Sequence, residues 1–156
     1  MFKKILFCTD FSENSHLAFT YALNLARTYQ AKLFILHVTH DPIFVYPDQV
    51  YASVPEETIR EWEAAEEKKT DQELNTHYLQ KMDGFTDYKV LLRKGPAFYE
   101  IIQTAKEESV ELIVMGTHGR TGLDHVLFGS TAEKVVRKSP APVLTVRLPG
   151  KKFVMP

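Results

Sequence analysis

Short apolar runs recur along the chain, each ended by a polar residue or a glycine, and longer amphipathic stretches separate them. The first run is "KKILFCTD", whose length suits a strand buried on both faces, since a half-exposed strand would alternate apolar and polar positions. "SENSHLAFTYALNLARTYQA" follows. Ser12 stands where an N-cap is expected, with Ser15 alongside. Ala18, Tyr21, Ala22, Leu25 and Tyr29 recur at helical spacing and predict one apolar stripe. "KLFILHV", from Lys32 to Val38, reads as a second buried strand. Residues 39–55, "THDPIFVYPDQVYASVP", carry prolines and no clean period, which predicts a loop. Such a length is unusual for a plain connection, so the loop is expected to cover something or to meet a partner.

The polar stretch over 56–82 predicts a long charged helix with a broad solvated face, its apolar positions (Ile59, Trp62, Ala65, Leu79, Met82) being sparse. "TDYKVLLRKG" predicts a third strand closed by Gly95. "PAFYEIIQTAKEES" places proline at a helix N1 and Phe98, Ile101, Ile102 and Ala105 on one face. "VELIVMG" reads as a fourth strand, "STAEKVVRKS" as a short helix with Ala132, Val135 and Val136 inward, and "APVLTVRL" as a fifth strand. Alternation of strand and helix predicts an α/β domain with an open parallel sheet and helices on both faces. One domain over 1–148 and a loose tail over 149–156 are expected. In such sheets ligands sit outside the carboxyl ends of the strands, where strand order reverses. Thr9-Asp10, Val38 and Met115-Gly116 stand at three such ends.

Composition narrows this only a little. The chain has 156 residues, 44% hydrophobic and 25% charged, and a net charge of −1, so no global field draws it to nucleic acid or membrane. A single cysteine, Cys8, excludes an internal disulfide and reads as a small buried apolar residue. No apolar run reaches the roughly 18 residues a membrane span needs, and the amino-terminal stretch lacks a signal-peptide pattern. A cytoplasmic protein is expected. The six histidines form no H-x-x-x-H or H-E-x-x-H pair, and no protein metal cage is evident. His37 and His40 stand where they could face the crevice.

"MGTHGRTGLDHVLFGST", Met115 to Thr131, holds four of the seven glycines. It starts at a strand end and closes on a helix, where unpaired first-turn amides and a positive dipole favour an anion. Glycine lets a phosphate approach the backbone, and the Ser130 and Thr131 hydroxyls add donors. On spacing alone, turns and caps with Ser130 as a plain N-cap explain the segment equally well. Neither a Walker P-loop nor a G-x-G-x-x-G after the first strand is present.

The pattern G-x2-G-x9-G-[ST], carried by Gly116, Gly119, Gly129 and Ser130, resembles the nucleotide-binding signature of the universal stress protein family. "KKILFCTDFSENSHLAFTYALNLA", "KLFILHV" and "ELIVMGTHGRTGLDHVLFGSTAEKVVRKSPAPVLTVR" are similar to the family's first strand and helix, second strand and carboxyl-terminal third; residues 40–85 lie outside the resemblance. The resemblance implies a Rossmann-like, adenine nucleotide α-hydrolase-like sheet of order 3-2-1-4-5 that binds ATP or AMP, with magnesium or manganese carried by the phosphates. It also implies a homodimer paired through the last strand, 143–148. By position, Thr9, Asp10 and Val38 would line the adenine and ribose side, Met115 and Gly116 the ribose and phosphates, and Gly119, Gly129, Ser130 and Thr131 the phosphates. In ATP-binding relatives proline often precedes the Thr-Asp pair; Cys8 stands there in this chain.

Beyond the motif, Arg120 and His118 are within chain reach of a phosphate. Trp62, Phe44, Tyr46 and Tyr51 either pack beneath the long loop or form a patch that meets a partner or covers the nucleotide. Three functions stay open. The first is a nucleotide-dependent regulatory protein of the stress response that signals to an unknown protein partner. The second is a slow ATP hydrolase or phosphotransferase, for which His118 and Asp124 are the only candidates near the loop and neither sits in a recognised catalytic motif. The third is a structural dimer with a vestigial site.

Overall fold

Five parallel strands, β1 (Lys4–Thr9), β2 (Lys32–Thr39), β3 (Tyr88–Lys94), β4 (Leu112–Gly116) and β5 (Val143–Val146), lie in the order β3-β2-β1-β4-β5. The structure is a computed structural model that describes residues 1–39, 53–118 and 129–149. β1 is central and buried from Ile5 to Thr9, as an uninterrupted apolar run requires. Its alternate residues feed two cores. Ile5 and Phe7 pack beneath α1 (Glu13–Tyr29) and the end of α2 (Glu56–His77). Leu6 and Cys8 pack on the opposite face beneath α3 (Ala97–Glu107) and α4 (Ser130–Lys138). Each large apolar side chain fully buried there contributes about 1.5–3 kcal/mol.

In α1 the buried face is Ala18, Phe19, Ala22, Leu23 and Ala26, so the predicted stripe is rotated. Tyr21 is 49% exposed, while Leu25 and Tyr29 are half-buried at the margin. Alanines at i, i+4 and i+8 let the helix settle close on the sheet, and the tyrosine hydroxyl stays near water. Ser12 caps α1 as expected, its Oγ accepting from the Ser15 amide.

The predicted 56–82 helix ends earlier, at His77, and Leu79–Lys81 follow as a 3-10 turn. Its buried residues form a period-four row, Thr70, Leu74, Tyr78 and Met82. Of the predicted apolar positions only Met82 is core; Leu79 is half-buried against it, Ile59 half-buried, Ala65 exposed and Trp62 46% exposed. The amino-terminal half runs past the carboxyl edge of the sheet, where none of the described strands lies beneath it. In α4, Ala132 and Val135 are buried, but Val136 is 48% exposed, because it lies about 100° around the helix from Val135. β5 is shorter than the predicted strand and forms one edge of the sheet.

Candidate nucleotide cleft

β1 and β4 are neighbours, yet the chain leaves them toward opposite faces, into α1 after β1 and toward α4 after β4. The two exits part and leave a crevice at the carboxyl end of the sheet. A cleft of about 1010 Å³ opens there. Thr9, Asp10, Val38, Met115 and Gly116 line its floor, and Gly129, Ser130 and Thr131 line one wall. The opposite wall comes from the overshooting half of α2, with Trp62, Glu66 and Lys69. Eight of the ten nucleotide-binding candidates therefore meet at one place. Gly119 and Arg120 lie outside the described residues, as do His40, Phe44, Tyr46, Tyr51, Asp124 and the tail beyond residue 149.

The β1–α1 turn is held by its own side chains. Thr9 Oγ1 accepts from the Phe11 amide at 2.9 Å, and Asp10 Oδ1 accepts from the Ser12 amide at 3.1 Å. Phe11 takes a left-handed backbone, φ 61, which costs energy for a residue with a bulky side chain. Its ring lies tilted against His37, 4.4 Å between centroids, and stacked beside Tyr78 at 6.1 Å. His37 Nδ1 lies 2.9 Å from the Thr9 carbonyl and donates to it, so this crevice histidine braces β1 from β2.

Behind the turn lies a buried polar cluster. The Tyr78 hydroxyl meets Thr9 Oγ1 at 2.5 Å, His16 Nδ1 at 2.9 Å and Ser15 Oγ at 3.4 Å. Burial pushes the Tyr78 hydroxyl up to about 12, so it stays a neutral donor. His16 stacks on His77 at 4.1 Å, and burial first, then the neighbouring His77 and Lys81 charges, hold it below the ordinary imidazole range. Burial also pushes the Cys8 thiol up, which keeps it protonated and unreactive. Tyr78 was not legible as part of the site from its local sequence. The signal was the row Thr70, Leu74, Tyr78, a four-residue period in an otherwise polar helix.

At the other exit, Gly116 lines the cleft with backbone, and a Cβ there would lie 2.8 Å from Asn14 Cβ. Glycine at this position thus lets β4 approach the first turn of α1. The Thr117 amide donates to Val146 O, and the Gly129 amide donates to Thr117 O at 2.8 Å. The glycine segment therefore starts and returns at the same point. Ser12 Oγ donates to the His118 carbonyl at 3.4 Å, which ties the two exits together. Gly129, not Ser130, is the N-cap of α4, and as a glycine it brings no capping side chain. First-turn amides that their N-cap residue leaves without a side-chain acceptor, beside the Ser130 and Thr131 hydroxyls, make this wall suited to an anion. Across the rim, Lys94 Nζ at the end of β3 pairs with Glu63 on α2 at 2.8 Å. Among the described residues no group of three or more His, Cys, Asp or Glu is placed to hold a metal, and no helix is long and apolar enough to cross a membrane.

An open parallel sheet of this order with a cleft at the β1/β4 crevice defines a Rossmann-like α/β domain. The universal stress protein family model matches residues 1–147, and the chain belongs to that family. Universal stress protein MJ0531 of Methanocaldococcus jannaschii is 33% identical over 152 residues, covering 97% of this chain and 85% of that protein. The solved structure of MJ0577, a universal stress protein of the same organism, is 29% identical with a TM-score of 0.80, covering 96% of this chain and 99% of the other. A universal stress protein solved in complex with cAMP shares the fold at 24% identity and a TM-score of 0.58, covering 93% and 96% of the two chains.

Proposed function

We propose that the chain binds an adenine nucleotide, ATP or AMP, in this cleft and works as a nucleotide-dependent regulatory protein rather than as an enzyme. The observation that carries the reading is the α4 amino terminus, whose N-cap Gly129 has no side chain and which faces the crevice between two diverging chain exits. In this reading Thr9, Asp10 and Val38 meet base and ribose, and Met115 and Gly116 border ribose and phosphates. Gly129, Ser130 and Thr131 hold the phosphates, joined by Gly119 and Arg120. Magnesium or manganese arrives with the phosphates. The edge strand β5 pairs with its copy in a homodimer through 143–148, which covers an otherwise open edge. The setting is the cytoplasm.

Thermal unfolding of nucleotide-stripped protein with ATP, AMP, cAMP and GTP, with and without magnesium, tests the reading. At about 100 times Kd, binding adds about 2.7 kcal/mol and raises the midpoint roughly 5–10 °C. Gly129 has φ −62 and ψ 153, a conformation valine also adopts, so Gly129→Val adds bulk at the wall without backbone strain. A shift with ATP that vanishes in this variant supports the phosphate wall. No shift with any nucleotide overturns the proposal.

A further inference from the structure

A polar group with three hydrogen-bond partners lies behind the cleft floor, outside the lining. Tyr78 is fully buried, at 0% exposure, at the end of α2. One assignment of hydrogens serves its short contacts in a single direction. His16 Nδ1–H donates to the Tyr78 oxygen, and the Tyr78 hydroxyl donates to Thr9 Oγ1. Thr9 then donates to Ser15 Oγ at 3.2 Å, and Ser15 donates to the Ser12 carbonyl at 2.7 Å. Thr9 Oγ1 keeps a lone pair for the Phe11 amide. The Tyr78 ring meets the same turn from the side, stacked on Phe11; it also contacts Phe7 and Phe19 of the apolar core and the His16 and His77 rings.

We infer that Tyr78 is a positioning residue for the cleft: its hydroxyl fixes the Thr9 rotamer, and through it the left-handed Phe11 and the turn that presents Asp10. This inference rests on the adenine-nucleotide reading where it concerns affinity. It assigns a role in the site to α2, whose overshooting half walls the cleft and whose far end then sets the floor. The physical reason is strain. A phenylalanine at φ 61 does not hold that conformation by preference, so neighbours must impose it. The Thr9 hydroxyl and the Tyr78 ring are two that do.

Tyr78→Phe removes only the oxygen and keeps the ring. Leu74→Val, one turn earlier and buried in the same core, is the control for loss of stability alone. Two readouts are needed, both taken well below either unfolding midpoint. Amide hydrogen exchange without nucleotide should accelerate about tenfold at Phe11 and Ser12 in Tyr78→Phe and stay unchanged in Leu74→Val, as expected for loss of one buried hydrogen bond. ATP affinity should weaken about tenfold in Tyr78→Phe and hold in Leu74→Val. Unchanged exchange at both amides in Tyr78→Phe overturns the inference, and so does equal weakening of ATP affinity in both variants. If the wild-type chain binds no nucleotide while the exchange difference appears, the turn-positioning role stands and the adenine-nucleotide reading falls.

Discussion

α1 and α2 pack on the same face of the sheet but use it differently. α1 is buried along its length, from Ser15 to Ala26. α2 buries only Thr70 and Leu74 within the helix, then Tyr78 and Met82 beyond it. Its first half projects past the strands and becomes a cleft wall. One helix is core throughout; the other is core at one end and cleft wall at the other. An amphipathic pattern thus marks burial, and its fading within a continuous helix marks the place where the sheet ends.

Breaking the core side of this comparison should have the largest effect. Phe19→Ala in α1 removes a ring that is 3% exposed and packed between Phe7 and Tyr78. It should cost about 3–5 kcal/mol in denaturant unfolding. Leu74→Ala at the buried end of α2 should follow at about 2–4 kcal/mol. If Leu74→Ala costs no more than a surface change, the end of α2 is not core. Gly116→Ala places a methyl against Asn14 and should cost about 1–3 kcal/mol, read in the same assay. A smaller loss would mean that the first turn of α1 gives way.

The site side of the comparison should move stability little. Trp62→Ala, at a 46% exposed position, should leave the unfolding free energy within about 0.5 kcal/mol. Trp62 is the single tryptophan of the chain and lines the cleft, so nucleotide titration should change its emission. An unchanged spectrum at saturating ATP would remove α2 from the ligand's surroundings. Glu63→Gln, at the exposed pair with Lys94, should likewise change stability little, by less than about 1 kcal/mol.

Acid should sharpen the contrast at the α1–α2 junction. His16 has its folded value lowered, so it releases its proton more readily in the fold than in the unfolded chain. Between the two values the unfolded chain binds more protons, and stability declines as pH falls below the ordinary imidazole value of 6.5. His16→Gln should flatten that part of the stability profile. An identical profile in wild type and variant would place the acid sensitivity elsewhere.

The alternation of apolar runs and amphipathic stretches determined much by itself, because strands buried on both faces and helices with one apolar side leave different periods in the chain. It marked all five strands, the capping role of Ser12, the burial of Cys8 and the strand ends that border the cleft. Chain pattern could not set the phase of α1, since Tyr21 and Phe19 are both aromatic and only contact with the sheet distinguishes them. Nor could it show that the long charged helix changes role midway, because that depends on where the strands beneath it stop. The same holds for Gly116, whose missing Cβ is explained by Asn14, and for Tyr78, joined to Thr9 across 69 intervening steps of chain. Hydrophobic period is a local property of the chain. Close approach and hydrogen bonding between distant segments exist only once the sheet has brought them together, and that is where the site is decided.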